Sequence, residues 1–174
     1  MQLRFGAIIL SAAFLISGCY LPIKGRVIDA ETQQPIEGAL VLVEWTKKHG
    51  FGDAWTESFK VVEAVSDKDG KVEIEGCYSP FVERPDVTVY KKGYVAWNDE
   101  KIFPFYERRT DFRWGDYVFR LERFKTEYSH IDHTSFIDFS INVSLGSNGK
   151  KNIVKEIRWE ELEASKERTK RETK

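Results

Sequence analysis

Between Ile23 and Phe124 the chain is divided into short apolar runs by glycines, prolines and aspartates. Runs of this length cannot build a helical bundle, and their spacing suits an antiparallel sandwich. The strands expected are Lys24–Asp29, Gly38–Lys47, Ser58–Val65, Lys71–Glu75, Asp86–Lys91, Tyr94–Trp97 and Asp116–Phe124. In the second, Ala39, Val41, Val43 and Trp45 alternate onto one face, while Leu40 and Leu42 make the other face apolar at its start. Apolar side chains on both faces mark a central strand. Asp67-Lys68-Asp69-Gly70 reads as a tight turn with positive φ at the glycine.

Past Phe124 the pattern changes. Thr126–Phe139 reads as a helix, with Tyr128, Ile131, Ser135, Phe136 and Phe139 roughly on one side, or Ile137–Leu145 as an added strand. A helix over Asn152–Lys166, with Asn152 as N-cap, carries an apolar stripe of Ile153, Val154, Ile157 and Leu162. Glu163–Lys174 is almost wholly charged and is expected as solvated helix or frayed tail.

Composition narrows the function classes. With 27 basic and 28 acidic residues the net charge is −1, which gives no case for nucleic-acid binding. Aromatic residues make up 14% of the chain, too many for a disordered stalk.

The amino terminus carries a different signal. Arg4 and the amino group precede an apolar run, Phe5–Ile16, shorter than the ~20 residues a spanning helix needs. The run closes on Ile16-Ser17-Gly18-Cys19. This resembles the lipobox of bacterial lipoproteins. The resemblance implies cleavage between Gly18 and Cys19, acylation of Cys19, and a membrane-anchored protein outside the cytoplasm. Two or three acyl chains hold a protein stably where one does not. Enterobacterial lipoproteins kept at the inner membrane carry an aspartate after the cysteine. Tyr20 stands here instead, which points to the outer membrane if the source is Gram-negative. With Cys19 acylated, Cys77 has no intramolecular disulfide partner. A buried, inert thiol is expected, the alternatives being an intermolecular disulfide or a reactive thiol.

A second resemblance runs from Ile23 to Trp97. Gly25-x-Val27-x-Asp29-x-x-Thr32-x-x-Pro35-Ile36-x-Gly38-Ala39-x-Val41, then Asp67-x-Asp69-Gly70 with Val72 and Ile74, then Lys92-Gly93-Tyr94, is similar to the carboxypeptidase regulatory-like family. The resemblance implies a seven-stranded, transthyretin-like Greek-key β-sandwich and a non-catalytic module. The organisation expected is a leader over 1–18, a lipidated tether over 19–22, the sandwich over 23–125 and a helical, charged extension over 126–174.

Catalytic signatures are missing from the sequence. There is no zinc-peptidase His-Glu-x-x-His, no Gly-x-Ser-x-Gly elbow and no phosphate loop. The Tyr-Arg-Gly-Ser ending of purine-degrading transthyretin relatives is replaced by Arg171-Glu172-Thr173-Lys174. His130 and His133 lie three apart, with Asp132 and Asp138 nearby, but only His49 remains to complete a metal site. They are expected as surface histidines, and no cofactor or metal is expected.

The segment Phe103–Trp114 interleaves aromatics with arginines, residue types enriched at interaction hot spots. Phe103, Phe105, Tyr106, Arg108, Arg109, Arg113 and Trp114, together with Trp55, form the candidate interaction surface; the other reading is that the rings cap the core. If strands alternate in direction, connections 48–57, 76–85 and 98–115 share the end nearest the anchor. That end is expected to rest on the bilayer or on a membrane partner. The expected function is therefore a lipid-anchored, non-enzymatic envelope module for structure or protein interaction. A glycan- or peptide-binding module using Trp55 and Trp114 is the alternative.

Overall fold

In the computed structural model of the chain, residues 17–20, 22–50, 55–142 and 148–173 are described. The protein is mainly β, with helices at its C-terminal end. The strands are β1 (Ser17–Tyr20), β2 (Ile23–Asp29), β3 (Leu40–His49), β4 (Trp55–Val65), β5 (Lys71–Ile74), β6 (Cys77–Pro80), β7 (Asp86–Tyr90), β8 (Trp97–Asn98), β9 (Lys101–Ile102), β10 (Glu107–Arg108) and β11 (Tyr117–Leu121). The helices are α1 (His130–Ser140), α2 (Lys151–Glu156) and α3 (Arg158–Glu172).

Two sheets face each other. One has the order β11-β2-β5 and the other β4-β3-β7-β8. Pairing is antiparallel throughout, except that β11 runs parallel to β2 with Tyr117 opposite Gly25 and Leu121 opposite Asp29. Two ribbons, β1–β6 and β9–β10, stand outside the sheets. Gly25 is needed where β11 crosses it, because an added Cβ would lie 2.5 Å from Cε2 of Phe119. Gly70 has φ +75°, and an added Cβ would meet the Val27 carbonyl at 2.4 Å, so the Asp67–Gly70 turn demands glycine twice over.

The core is split by β3. Val41, Val43 and Trp45 point into the sandwich with Val27, Val72, Val87, Val89 and Phe119. Leu40 and Leu42 point the other way, into a second core with Tyr90, Phe103, Phe136, Ile137, Ile141, Ile153 and Ile157. The molecule thus has three layers, sheet on sheet on helices. The double-sided apolar pattern of β3 reflects both its central position and the helical cover on its outer face.

α1 starts at Ser129, whose Oγ accepts from Asp132 N at 3.3 Å. Its buried residues are His133, Phe136, Ile137 and Ser140, a strict i, i+3, i+4, i+7 stripe. Residues 137–140 are helical, so no strand begins at Ile137; 143–145 of that alternative lie outside the described residues, and the helical face differs from the one expected. Tyr128 precedes the helix, while Ser135 and Phe139 are exposed. Lys150, not Asn152, is the N-cap of α2. The reason lies in β4: Glu63 accepts from Asn152 N at 3.0 Å and Ile153 N at 2.8 Å, satisfying the orphan donors from outside the helix. The charged C-terminal stretch is helical to Glu172 and packs on α1. Glu167 accepts from His130 N and Ile131 N, and so caps α1.

Phe136 is fully buried between Phe103, Tyr106 and the sheet. Phe136→Ala should therefore lower unfolding free energy by about 3–5 kcal/mol in urea denaturation, the range for an aromatic lost from a packed core.

Candidate functional site

The strand directions gather the connections at two ends. At one, Val27 N donates to Gly70 O, Gly38 N to Ser66 O, and the Tyr94 hydroxyl to Asp29 Oδ2. Asp29 also accepts from Glu31 N and Thr32 N at 2.9 Å and from Arg123 Nε at 2.8 Å. The backbone N–H of Thr32 and these neighbours outweigh burial and pull its carboxyl down to about 2. The geometry of this end is structural: Asp29 ties the connection after β2 to Tyr94 and Arg123. At the other end Glu83 N donates to Thr46 O, Lys47 bridges to Val82, and Arg84 Nη2 reaches Asp99 Oδ2 at 2.5 Å.

The interleaved aromatic and arginine segment is divided between core and surface. Phe103, expected at the surface, is only 6% exposed and packs on Tyr128, His133 and Phe136. The β9–β10 hairpin folds back along α1, because Phe103 fills the gap between α1 and the β8 edge. It therefore lies on the flank, with Tyr106 half exposed against Phe136 and Phe139 and Phe105 81% exposed at its tip. Arg109, also expected at the surface, is drawn inward: Nε donates to Asn98 O at 2.7 Å and its guanidinium lies 4.4 Å over the Trp97 ring. Trp114 is half buried and packs edge-on against Trp45 and Phe112. Arg108 and Arg113 are exposed. Trp55 is exposed and stacks on His49 at 5.4 Å. These residues do not make one surface.

The histidines expected at the surface have a structural role. His133 is fully buried; its Nε2 accepts from Ala96 N at 2.9 Å and its Nδ1 lies 3.3 Å from Glu160 Oε2. His130 Nδ1 lies 2.8 Å from the same oxygen, and the Tyr90 hydroxyl 3.4 Å from Glu160 Oε1. Burial alone would push the Glu160 carboxyl up, but the two histidines hold it below its usual range. The two histidines meet a glutamate from α3, which spacing within α1 could not reveal. Among the described residues, no group of three or more His, Cys, Asp or Glu is arranged to hold a metal ion. Cys77 is free and buried, and burial pushes its thiol up.

A polar cleft of about 530 Å³ opens between the β3–β4 end and the C-terminus of α1. Thr46, Thr56, Asp86, Asn98, Glu100 and Phe139 are among its walls. Behind it lies a buried network. Glu44 and Asp86 sit directly opposite on β3 and β7. Asn142 Nδ2 donates to both, at 3.3 and 2.7 Å. Lys150, 1% exposed, places Nζ 2.8 Å from Glu44 Oε2 and donates to Ile141 O and Asn142 O. Burial, with the charges of Glu100 and Glu44, pushes the Asp86 carboxyl up. Burial likewise takes Asp99 up to about 6, against its hydrogen bond from Val87 N and its pairing with Arg84. The sequence signal for this network was Glu44 itself, a carboxylate inside the apolar run Leu40–Trp45.

No family model and no curated protein matches the sequence. Among solved structures the chain is similar to a streptococcal ancillary pilin, at 18% identity over 61% of this chain and 30% of that one, with a TM-score of 0.32. It is also similar to a shaft pilin from Lactobacillus rhamnosus GG, at 13% identity over 63% and 48% with a TM-score of 0.33. The C-terminal domain of that shaft pilin is similar at 14% identity over 60% and 98%, with a TM-score of 0.30. The chain spans less than half the length of the first two. Likeness at this level says nothing of function.

Two outcomes follow from the buried charges. Lys150→Met strands the Glu44 carboxylate and should cost about 3–5 kcal/mol in urea denaturation, whereas Lys150→Met combined with Glu44→Leu should recover most of it. Asp99 titrates near 3.8 when unfolded and about 6 in the fold. The fold holds that proton more tightly, so its stabilisation is complete below about pH 4 and is lost as pH rises through 6. Asp99→Asn should abolish this loss, at most about 3 kcal/mol, when unfolding is followed across pH 4–7.

Proposed function

We propose that this is a lipid-anchored, non-enzymatic protein of the cell envelope, in which a transthyretin-like sandwich serves as a structural or protein-interaction module. The observation that carries the reading is the position of Cys19. The lipobox cysteine lies in β1, paired through its backbone with Tyr78 of β6, so the anchor joins directly to the folded domain. The two-sheet order, with first and last sandwich strands side by side and parallel, supports the family resemblance. The non-catalytic reading is supported by where the reactive side chains are spent. His130, His133 and Glu160 hold helices together, His49 stacks on Trp55, and Cys77 is buried. No helix among the described residues is long and apolar enough to cross a membrane. Placement at the outer membrane follows if the source is Gram-negative.

A second reading, a glycan- or peptide-binding module, is favoured by the cleft. Hydroxyl, amide and carboxylate groups line it, with the exposed Phe139 ring among them. That combination suits a polar ligand with one apolar face. Trp114 does not serve it, being packed against Trp45. If the cleft is the site, Thr56→Trp, a change at an exposed wall position, should abolish binding on glycan and peptide arrays.

The main reading is tested by metabolic labelling with an alkyne fatty acid. The native chain should take up the label and fractionate with membranes, and Cys19→Ser should do neither. Crosslinking and affinity purification from intact cells, native against Cys19→Ser, should capture an envelope protein only with the anchored form. Labelling that persists in Cys19→Ser would remove the anchor from the reading.

A further inference from the structure

A lipid anchor usually sits on a mobile tether, and here it does not. Two pairs of the β1–β6 ribbon remain once the chain is cut before Cys19: Cys19 with Tyr78 and Tyr20 with Cys77. Paired strands lie about 5 Å apart, and Cys77 is itself buried in the sandwich core. The acylated residue would therefore lie next to Tyr78 in the ribbon, within a few ångströms of the folded domain.

The surface around that point is aromatic. Tyr78 is 66% and Phe81 71% exposed. The bridge from Lys47 to Val82 joins this ribbon to the end of the β3–β4 hairpin, which carries the exposed rings of Trp55 and Phe59. Phe59 is the extra residue at the register shift opposite Trp45 and Thr46, and Lys47 Nζ lies 3.6 Å above its ring. Phe81 has a φ of +62°, a left-handed conformation that costs a non-glycine residue about 1–2 kcal/mol. Among the described residues, the remaining exposed rings, Phe105, Tyr106 and Phe139, lie on the flank beside α1, and the far-end turns over 30–37, 67–70 and 91–93 hold no aromatic residue.

We propose that the β1–β6 ribbon and the end of the β3–β4 hairpin form a membrane seat. Tyr78, Phe81, Trp55 and Phe59 enter the boundary between headgroups and acyl chains beside lipidated Cys19, and the Lys47 ammonium meets lipid phosphates, while Lys48 is paired with Glu83 at 2.7 Å. Aromatic rings prefer that boundary, and lysine stems reach across it to the headgroups. The occupant is a phospholipid bilayer because the anchor emerges inside the patch and brings the bilayer with it. This inference rests on the lipid-anchor reading. It narrows the membrane-facing end expected from the sequence, connections 48–57, 76–85 and 98–115, to residues 55–59 and 78–81.

The full-length protein, purified from membranes, is returned to phosphatidylcholine vesicles containing nitroxide-labelled lipid. Phe81→Cys and, as a far-end control, Lys68→Cys each carry an environment-sensitive fluorophore. Both should float with the vesicles, and the label at 81 should be blue-shifted and quenched at least threefold more than the label at 68. Equal quenching in floating protein overturns the seat and leaves the anchor intact. Failure to float overturns the anchor, and the seat with it. Phe81→Gly suits the positive φ and should keep the melting temperature while a fluorophore at Tyr78→Cys loses quenching. Unchanged quenching there counts against Phe81 as part of the seat.

Discussion

Strand β3 imposes the constraint on which the rest of the molecule depends. Between Leu40 and Val43 it is apolar on both faces, so both faces must be covered. The three-stranded sheet covers one. The other would expose Leu40, Leu42 and Tyr90 to water if α1, α2 and α3 did not lie over it. The helices are thus part of the core. A two-layer sandwich would leave an apolar patch of the kind that marks an unfinished surface.

Polar contacts then decide how the helices lie. Apolar burial is non-directional and would accept several orientations of a helical layer. Glu63 capping α2, Glu167 capping α1, Glu160 gathering His130, His133 and Tyr90, and Lys150 on Glu44 each define one position along the sheet. Buried ion pairs contribute little net stability against apolar replacements. Their value here is registry: four carboxylates, from β3, β4 and α3, find donors on other elements.

The same economy separates structure from function along Phe103–Trp114. Rings with a pocket to fill, Phe103 and Trp114, and an arginine with acceptors to satisfy, Arg109, are drawn inward. Those left outside, Phe105, Arg108 and Arg113, sit on turns and the hairpin flank. Residue type alone could not sort them, because aromatic and arginine side chains serve interfaces and core edges equally well. His130 and His133 misled for a related reason. Their partner, Glu160, is some thirty residues away in sequence, so the local reading saw only two polar residues on a helix.

The local pattern was enough for the β class, for the boundaries of β2, β3, β4, β5, β7 and β11 to within a few residues, and for the turn at Gly70. The expected Tyr94–Trp97 strand meets β8 at Trp97 alone, and the short strands β1, β6, β9 and β10 went unread, so the seven strands expected are not the count found. Alternation and positive-φ glycines are properties of neighbouring residues. The resemblance to a lipobox likewise rests on a short linear segment, Ile16–Cys19. What only the tertiary structure decided is what lies opposite each element. The parallel partner of β2, the helical cover on β3, the cap that Glu63 supplies to α2 and the pairing of Cys19 with Tyr78 all join residues distant in sequence. No periodicity encodes them, because they arise from filling space and satisfying buried donors once the elements have formed.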